Sequence, residues 1–281
     1  MAKDTKLEWV HHTFNPWWGC TKVSIACRNC YAETWAKRVG SRVWGRDSER
    51  RFFTEKHWHE PVKWNRAAQQ AGERRRVFCA SMADVFEPRS DLDPWREKLA
   101  GLIDATPHLD WLLLTKRYRQ IQEDAPWTEW PRNVWLGMTV ENQRWARRRI
   151  PYLVEIPAVV RFLSCEPLLG SINLDPWLGD TIHWVVSGGE SGSKSRPSHP
   201  EWFQSLRDQC LAAGAAFHFR KWGHWTPVEP VKPGRKKQYQ YMDSQGNLAT
   251  LWAVGMHASG RELDGRTWNQ VPLDGFGKRS V

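Results

Sequence analysis

Seven short apolar runs, each rich in β-branched and aromatic residues, constrain the fold of this chain more than any other feature. They lie at 7–14, 77–81, 111–115, 134–140, 159–164, 182–187 and 215–219. Continuous apolar runs of this length are typical of strands that are buried on both faces, as in a parallel sheet. The stretches between them can hold crossover helices, because residues 94–105 and 200–213 have apolar side chains at helical spacing. The sequence therefore predicts an α/β fold, a partial or closed (β/α) barrel.

Two regions interrupt this rhythm. Residues 40–70 form a basic, aromatic insertion between the first two predicted strands. Residues 226–281 are rich in glycine and polar residues and contain the basic run Arg235-Lys236-Lys237. We therefore expect the barrel to take residues 1–225 and the rest to form a C-terminal extension or lid.

The charge balance favours an anionic partner. Lys and Arg outnumber Asp and Glu by 41 to 31, which gives a formal net charge of +10. Such an excess indicates polyanionic partners, above all DNA or RNA. No apolar window approaches the ~18 residues of a membrane span, and the N-terminus lacks the ~7–15 apolar residues of a signal peptide. We expect a cytoplasmic protein with no membrane partner.

The six cysteines fall into two classes. Cys79, Cys165 and Cys210 each lie in an apolar stretch, where a free cysteine is usually a small buried hydrophobic residue. The other three, at 20, 27 and 30, directly follow the first predicted strand in the spacing C-x6-C-x2-C. Thiolates so clustered bind zinc, or iron in an iron–sulfur cluster.

Three readings of the cysteine cluster remain open. A structural zinc ion needs a fourth ligand, for which the candidates are His11, His12, His57 and His59, and no second CxxC pair exists. Three thiolates without a clear fourth ligand favour a [4Fe–4S] cluster with one open iron. The third reading is that the cysteines are incidental.

Polar residues follow every predicted strand. Chemistry in α/β barrels gathers at the carboxyl ends of the strands, so we expect these side chains to converge on one site. The Gly188–Gly189 turn could also let the backbone approach a ligand closely, although alone it is a weak signal. The candidates are Ser81, Asp84, Lys116, Arg117, Glu141, Asn142, Glu166, Gly188, Gly189, Glu190 and Lys221.

Several segments resemble those of the radical S-adenosylmethionine (SAM) superfamily, in a bacteriophage-encoded branch that is mostly of unknown function. The segments are TFNPWWGC at 13–20, CRNCYA at 27–32, LTKR at 114–117, LSCEPLLG at 163–170, VSGGESG at 186–192 and FRKWG at 219–223. The resemblance covers roughly residues 7–225. It implies that Cys20, Cys27 and Cys30 hold three irons of a [4Fe–4S] cluster and that the fourth iron binds SAM. It also implies that an electron from a donor such as flavodoxin or ferredoxin passes through the cluster to SAM and yields a 5′-deoxyadenosyl radical.

The resemblance also implies roles for the strand-end residues. Ser81 and Asp84 would meet the amino group of SAM, and Lys116 or Arg117 its carboxylate. Glu141 and Asn142 would hold the ribose hydroxyls, and the Gly188–Gly189 backbone would face the adenine. The catalytic, substrate-facing groups would be Glu166, Glu190 and Lys221.

The substrate expected from charge and aromatic content is a nucleic acid base or a nucleotide. The chain has 20 tryptophans and basic runs that include Arg144 and 147–149. Trp111, Trp135 and Trp184 are expected in the core, whereas Trp17, Trp18 and Trp222 could stack on a ligand. Two alternative functions remain possible from the sequence. One is a zinc-stabilised nucleic-acid-binding module without catalysis, and the other is a hydrolase that uses the strand-end carboxylates.

Overall fold

A computed structural model describes residues 2–231 and 237–272 of the chain. The strands are β1 (His12–Phe14), β2 (Trp17–Trp18), β3 (Arg51–Phe52), β4 (Arg75–Cys79), β5 (Leu109–Thr115), β6 (Val134–Thr139), β7 (Val160–Cys165), β8 (Trp184–Gly188), β9 (Ala216–Lys221), β10 (Trp225–Thr226), β11 (Gln238–Met242), β12 (Leu248–Ala253), β13 (Glu262–Leu263) and β14 (Arg266–Thr267). The α-helices are α1 (Tyr31–Arg38), α2 (Glu55–Trp58), α3 (Glu60–Ala71), α4 (Asp93–Asp104), α5 (Ile121–Asp124), α6 (Gln143–Val154) and α7 (Pro200–Ala212). Two 3-10 helices span Ile25–Cys27 and Ser90–Leu92.

Seven parallel strands form the central sheet, in the order β1-β4-β5-β6-β7-β8-β9. β1 and β9 do not pair with each other in the part of the chain that the structure describes, so the sheet is an open, partial barrel. The predicted α/β partial barrel is confirmed. All the carboxyl ends of these strands lie at one edge, which we call the mouth.

The tryptophan at position 9 reveals how strongly the sheet curls. Its ring centroid lies 4.8 Å from that of Phe78 in β4 and 5.9 Å from that of Trp184 in β8. β4 and β8 are four strands apart, which in a flat sheet would separate them by roughly 19 Å. The sheet therefore curls around a cluster of aromatic side chains that includes Trp9.

This packing shortens the first predicted strand. The apolar run 7–14 was expected to be extended throughout, but only His12–Phe14 pairs with β4. Trp9 and Val10 instead turn inward and are buried inside the curve of the sheet. Burial of the Trp9 indole removes a large apolar surface from water, and this stabilises the fold more than a further pair of strand hydrogen bonds would.

The predicted basic insertion is largely part of the crossover from β1 to β4. It contains β3, α2 and most of α3, and Trp64 and Ala68 of α3 are buried in the main core. The C-terminal residues form a three-stranded antiparallel sheet of β10, β11 and β12, and the hairpin of β13 and β14. Leu263 of that hairpin and Trp268 join the main core. Arg235 and Lys236 of the predicted basic run lie outside the described residues.

Burial separates the cysteines and tryptophans by role. Cys79, Cys165 and Cys210 are fully buried, as predicted, and so are Trp111, Trp135 and Trp184. The expected stacking role is wrong for Trp17, which is fully buried, and for Trp222, which is 6% exposed, because both fill core space. Trp18 stays half-buried, under the Arg51 guanidinium at 4.9 Å. Among the described helices, none is long and apolar enough to cross a membrane.

Candidate functional site at the mouth of the barrel

The cysteine loop, residues 20–30, lies over the mouth between β2 and α1. Its first thiol follows Gly19, whose φ is +121° and whose substitution would place a Cβ 2.4 Å from the Val43 carbonyl oxygen. Only glycine fits this position. The loop continues through the 3-10 helix that ends at Cys27, and Cys30 directly precedes α1. All three are free cysteines of intermediate exposure, unlike the three buried cysteines elsewhere.

Glu87, which follows β4, holds the start of the loop. Its buried carboxylate accepts a hydrogen bond from the Thr21 hydroxyl, next to Cys20. The same carboxylate pairs with Arg50 at 2.8 Å and with Arg117 at 3.4 Å. Arg117 Nη2 also donates to the Thr21 carbonyl oxygen at 2.9 Å and lies 3.9 Å from the Cys20 sulfur.

Glu141, at the end of β6, holds the middle of the loop. Its Oε1 accepts from the backbone N–H of Ala26, next to Cys27, at 3.3 Å. Its Oε2 accepts from Arg149 Nη1 at 2.7 Å. Both side chains are fully buried, so this pair is shielded from water.

Glu190, at the end of β8, holds the last turn of the loop. Its Oε2 accepts from Asn29 Nδ2, next to Cys30, at 3.0 Å, and from Arg196 Nε at 3.0 Å. Arg196 Nη2 bonds the other carboxylate oxygen at 2.5 Å and the Ile25 carbonyl oxygen at 3.0 Å.

Three carboxylates from three different strand ends thus each hold a residue that adjoins a cysteine. We call Glu87, Glu141 and Glu190 the loop carboxylates. Glu141 was expected to hold a ribose and Glu190 a substrate. In the structure the Glu141 carboxylate contacts the cysteine loop and Arg149, and the Glu190 carboxylate contacts the loop and Arg196. Glu87 was not predicted, although its position three residues after Asp84 in the same strand-end segment was an available signal.

Asp84 joins the ends of β4 and β5. It accepts from the Thr115 hydroxyl at 2.7 Å and from the Lys116 backbone N–H at 3.2 Å, and it faces Arg117 Nε at 3.7 Å. Burial and the carboxylates of Asp84 and Glu87 raise the pKa of the Cys20 thiol to about 12. A bound metal would supply the positive charge that keeps such a thiol ionised.

Ser81 and Asn142 have well-defined partners. The Ser81 hydroxyl accepts from Asn15 Nδ2 at 3.1 Å, and the Ser81 carbonyl accepts from the hydroxyl of Tyr31 at 2.9 Å. Asn142 caps α6, since its Oδ1 accepts from the Trp145 N–H at 3.2 Å. The Asn142 side chain is therefore used by the helix end in this structure.

The two lysines at the mouth differ from the preceding residues because their side chains have no polar partner in the described part of the chain. The amines of Lys116 and Lys221 make no hydrogen bond or ion pair with any residue that the structure describes, and both side chains are half-buried. Burial raises the pKa of the Cys30 thiol, and the Lys116 amine opposes that shift. Burial and the neighbouring Arg220 lower the pKa of Lys221.

Glu166 and the Gly188–Gly189 pair lie at the carboxyl ends of β7 and β8. Glu166 Oε1 accepts from Arg220 Nη1 at 2.5 Å. A Cβ on Gly188 would come within 3.2 Å of the Glu166 side chain, and one on Gly189 would lie 2.0 Å from the Trp222 carbonyl oxygen. The close approach of two backbone segments therefore accounts for Gly189.

The donor set fits an iron–sulfur cluster by its chemistry. Three free thiols belong to one short loop that the loop carboxylates hold against the mouth. Within residues 2–231 and 237–272, no group of three His, Cys, Asp or Glu side chains is arranged to hold a metal ion as it stands. The histidines considered as a fourth ligand each bond a backbone group through one ring nitrogen: His11 with Arg76, His12 with Asp4, His57 with Asn15 and His59 with Glu55.

Comparisons with known proteins give one family and one similar structure. A family model described as protein of unknown function (DUF5131) matches residues 4–272. The solved structure of a variant of spore photoproduct lyase is similar to this chain at 13% identity and a TM-score of 0.48, over 90% of this chain and 71% of that one. No curated protein matches. Because the family model spans nearly the whole sequence, the chain belongs to the family described as protein of unknown function (DUF5131).

Proposed function

We propose that this protein is a radical SAM enzyme in which Cys20, Cys27 and Cys30 hold a [4Fe–4S] cluster and the substrate is a nucleic acid base or a nucleotide. The observation that carries the proposal is the loop of three free thiols at the mouth, held next to each cysteine by a separate strand-end carboxylate. Three protein ligands leave one iron available to a ligand that is not protein.

With SAM bound at that iron, the cluster would supply a 5′-deoxyadenosyl radical, which removes a hydrogen atom from an unactivated carbon. The residues of the chain then have to bind, orient and shield the reactants. The amine of Lys116, near Cys30, suits the carboxylate of SAM, because it has no other partner among the described side chains. Ser81 suits the amino group, since its hydroxyl can accept another hydrogen bond beside that from Asn15.

Other predicted cofactor contacts would act in a supporting role. Asp84, Arg117 and Glu141 are engaged in buried networks that fix the loop, and Asn142 caps a helix. In the proposed enzyme they set the position of the cysteines and of the helix that follows Glu141. The Gly188–Gly189 backbone remains the segment proposed to face the adenine, on the side that the Glu166 side chain and the Trp222 carbonyl do not occupy.

The proposed substrate side of the mouth is the Glu166–Arg220 pair together with Lys221. The pair presents a fixed dipole, and the lowered pKa of Lys221 makes its amine a more ready proton donor than an ordinary lysine. The net charge of +10 supports an anionic substrate such as DNA or RNA. The electron would come from a reduced flavodoxin or ferredoxin.

The test starts from protein purified without oxygen. We expect about four irons and about four sulfides per chain, and slow release of 5′-deoxyadenosine when SAM and dithionite are added. Stoichiometric zinc without sulfide would instead support the zinc-stabilised binding module. If cluster-loaded, reduced protein neither binds SAM nor forms 5′-deoxyadenosine, the proposal fails.

A further inference from the structure

The outer face of α6 carries an excess of positive charge. Arg144, Arg147 and Arg148 are exposed, and none forms an ion pair within the described part of the chain. The helix contains no acidic residue that could neutralise them. Arg119, in the turn after β5, is also exposed and without an ion pair there. We call these four residues the α6 basic row.

Aromatic rings accompany the row. The rings of Tyr118 and Tyr152 meet edge-on with centroids 4.8 Å apart, and Tyr152 is 38% exposed. The Arg119 guanidinium lies 5.6 Å from the Tyr118 ring, and that of Arg148 lies 5.8 Å from the Trp145 ring. Positive charge is thus interleaved with flat apolar surface.

The spacing places these groups in line. Positions 144, 148 and 152 follow one another at intervals of four residues, so they share one helix face and lie about 6 Å apart along the axis. Arg144 lies three residues after Glu141, close to the mouth of the barrel. A linear ligand on this face would therefore lead to the mouth.

Several other surface cations of this protein have acidic neighbours. Lys37 pairs with Glu33, Lys63 with Glu60, and Arg89 with Asp91, each within 2.7 Å. Neighbouring arginines without such partners repel one another, and an anionic ligand relieves that repulsion.

We propose that the α6 basic row binds the phosphates of a single-stranded nucleic acid while Tyr152 stacks on one of its unpaired bases. Arginine suits phosphate oxygens through its planar fork of donors, and exposed aromatic rings suit bases that no complementary strand covers. The inference rests on the nucleic-acid substrate of the proposed function, but it does not depend on the cluster.

The experiment is a binding titration with a fluorescein-labelled, mixed-sequence single-stranded DNA of about 20 nucleotides, followed by fluorescence anisotropy. The salt concentration varies between about 50 and 200 mM, because each phosphate contact contributes about 0.7 to the slope of log K against log salt for single strands. The triple variant Arg144→Gln, Arg147→Gln, Arg148→Gln should lose about 2 from that slope. Arg66→Gln, at an exposed arginine of α3 without an ion pair in the described residues, is the matched control and should leave the slope unchanged.

The stacking part has its own variant. Tyr152→Ala should weaken binding at least about fivefold with the salt slope unchanged, because loss of one stacked base costs about 1 kcal/mol or more. An unchanged slope in the triple variant, or competition by polyglutamate as effective as that by unlabelled DNA, would overturn the proposal. The second result would indicate an acidic protein as the partner.

Failure of this inference is distinguishable from failure of the proposed function. Formation of 5′-deoxyadenosine from SAM in the absence of nucleic acid reports on the radical chemistry alone, and the triple variant should leave it unchanged. DNA binding without any SAM cleavage would retain the surface and reject the enzyme. Thermal unfolding followed by circular dichroism checks that each variant is folded.

Discussion

Asn29 and Glu190 are 161 residues apart in sequence, yet Asn29 Nδ2 donates a 3.0 Å hydrogen bond to Glu190 Oε2. This contact joins the turn between Cys27 and Cys30 to the carboxyl end of β8, near the opposite edge of the sheet from β1. Glu190 also accepts three hydrogen bonds from Arg196, through its backbone N–H and its guanidinium. The last turn of the cysteine loop is therefore held by a charged, mostly buried group.

Glu190→Gln should weaken that hold. The amide retains the shape of the side chain but not the charge, and it accepts through one oxygen only, so the bonds to Asn29 and Arg196 cannot all survive. We expect faster loss of iron to a chelator and a lower thermal midpoint. Glu155→Gln, at an exposed glutamate without an ion pair in the described chain, is the control. Equal rates of iron loss from both variants would contradict a positioning role.

Arg149→Met should destabilise the whole protein. The change leaves the fully buried Glu141 carboxylate without its 2.7 Å partner, a loss that costs about 3–5 kcal/mol in other buried pairs. Urea unfolding measures the free energy. Adding Glu141→Gln should restore part of it, because the unpaired charge is then gone. If the double variant is no more stable than Arg149→Met, the pair does not explain the loss.

Each of Cys20→Ala, Cys27→Ala and Cys30→Ala should abolish the visible absorption of the anaerobic protein, because a cluster with only two protein thiolates is not retained. Cys210→Ala is the control, since that residue belongs to α7 and is fully buried. Absorption spectra and iron analysis provide the measurement. A coloured Cys27→Ala protein would show that this thiol is not a ligand.

Lys116→Ala should weaken SAM binding while the cluster remains. The amine has no other partner among the described residues, so its removal deletes one contact without breaking a network. Calorimetry with the cluster-loaded protein measures affinity, and absorption confirms iron content. Lys221→Ala, on the proposed substrate side, should bind SAM normally. Equal weakening by both variants would contradict the division of the mouth into two sides.

The free energy of unfolding should fall as the pH is lowered below about 6.5. Burial, assisted by the charges of Arg261, Arg220 and Arg76, lowers the pKa of His218 from 6.5 to about 3 in the folded chain. The unfolded chain therefore takes up a proton that the folded chain refuses, and acid favours unfolding across this interval.

Urea titrations at about pH 7, 6 and 5 measure the effect of that histidine. His218→Leu should show a shallower decline than the unaltered protein. His257→Leu, at an exposed position, is the control and should follow the unaltered protein. Identical declines for all three would mean that His218 titrates alike in both states.

The sequence predicted the sheet well because strands buried on both faces are continuously apolar. β5, β6 and β7 each begin and end within two residues of the predicted runs. The convergence of polar groups at the mouth followed from the topology alone, because parallel strands end at one edge. Trp9 departed from the pattern. Whether an aromatic residue continues a strand or fills the space inside the curled sheet depends on the curvature of that sheet, which a local apolar pattern does not specify.

The partners of the loop carboxylates could not be predicted in the same way. Arg50 and Arg196 lie in irregular segments, where no periodicity fixes the direction of a side chain. Arg149 was identified only as one of a basic run, yet it points inward while its neighbours are exposed. Such pairings depend on loops that meet in three dimensions, and local sequence carries little information about them.

The order in which the chain is synthesised gives the loop carboxylates a further consequence. The cysteine loop is synthesised before the strand ends that hold it, and Glu190 emerges 161 residues after Asn29. Until then the loop lacks its last support. In a nascent chain these thiols are therefore held less firmly than in the finished protein. Iron and sulfide delivered during translation would reach a more flexible cysteine loop than iron and sulfide delivered afterwards.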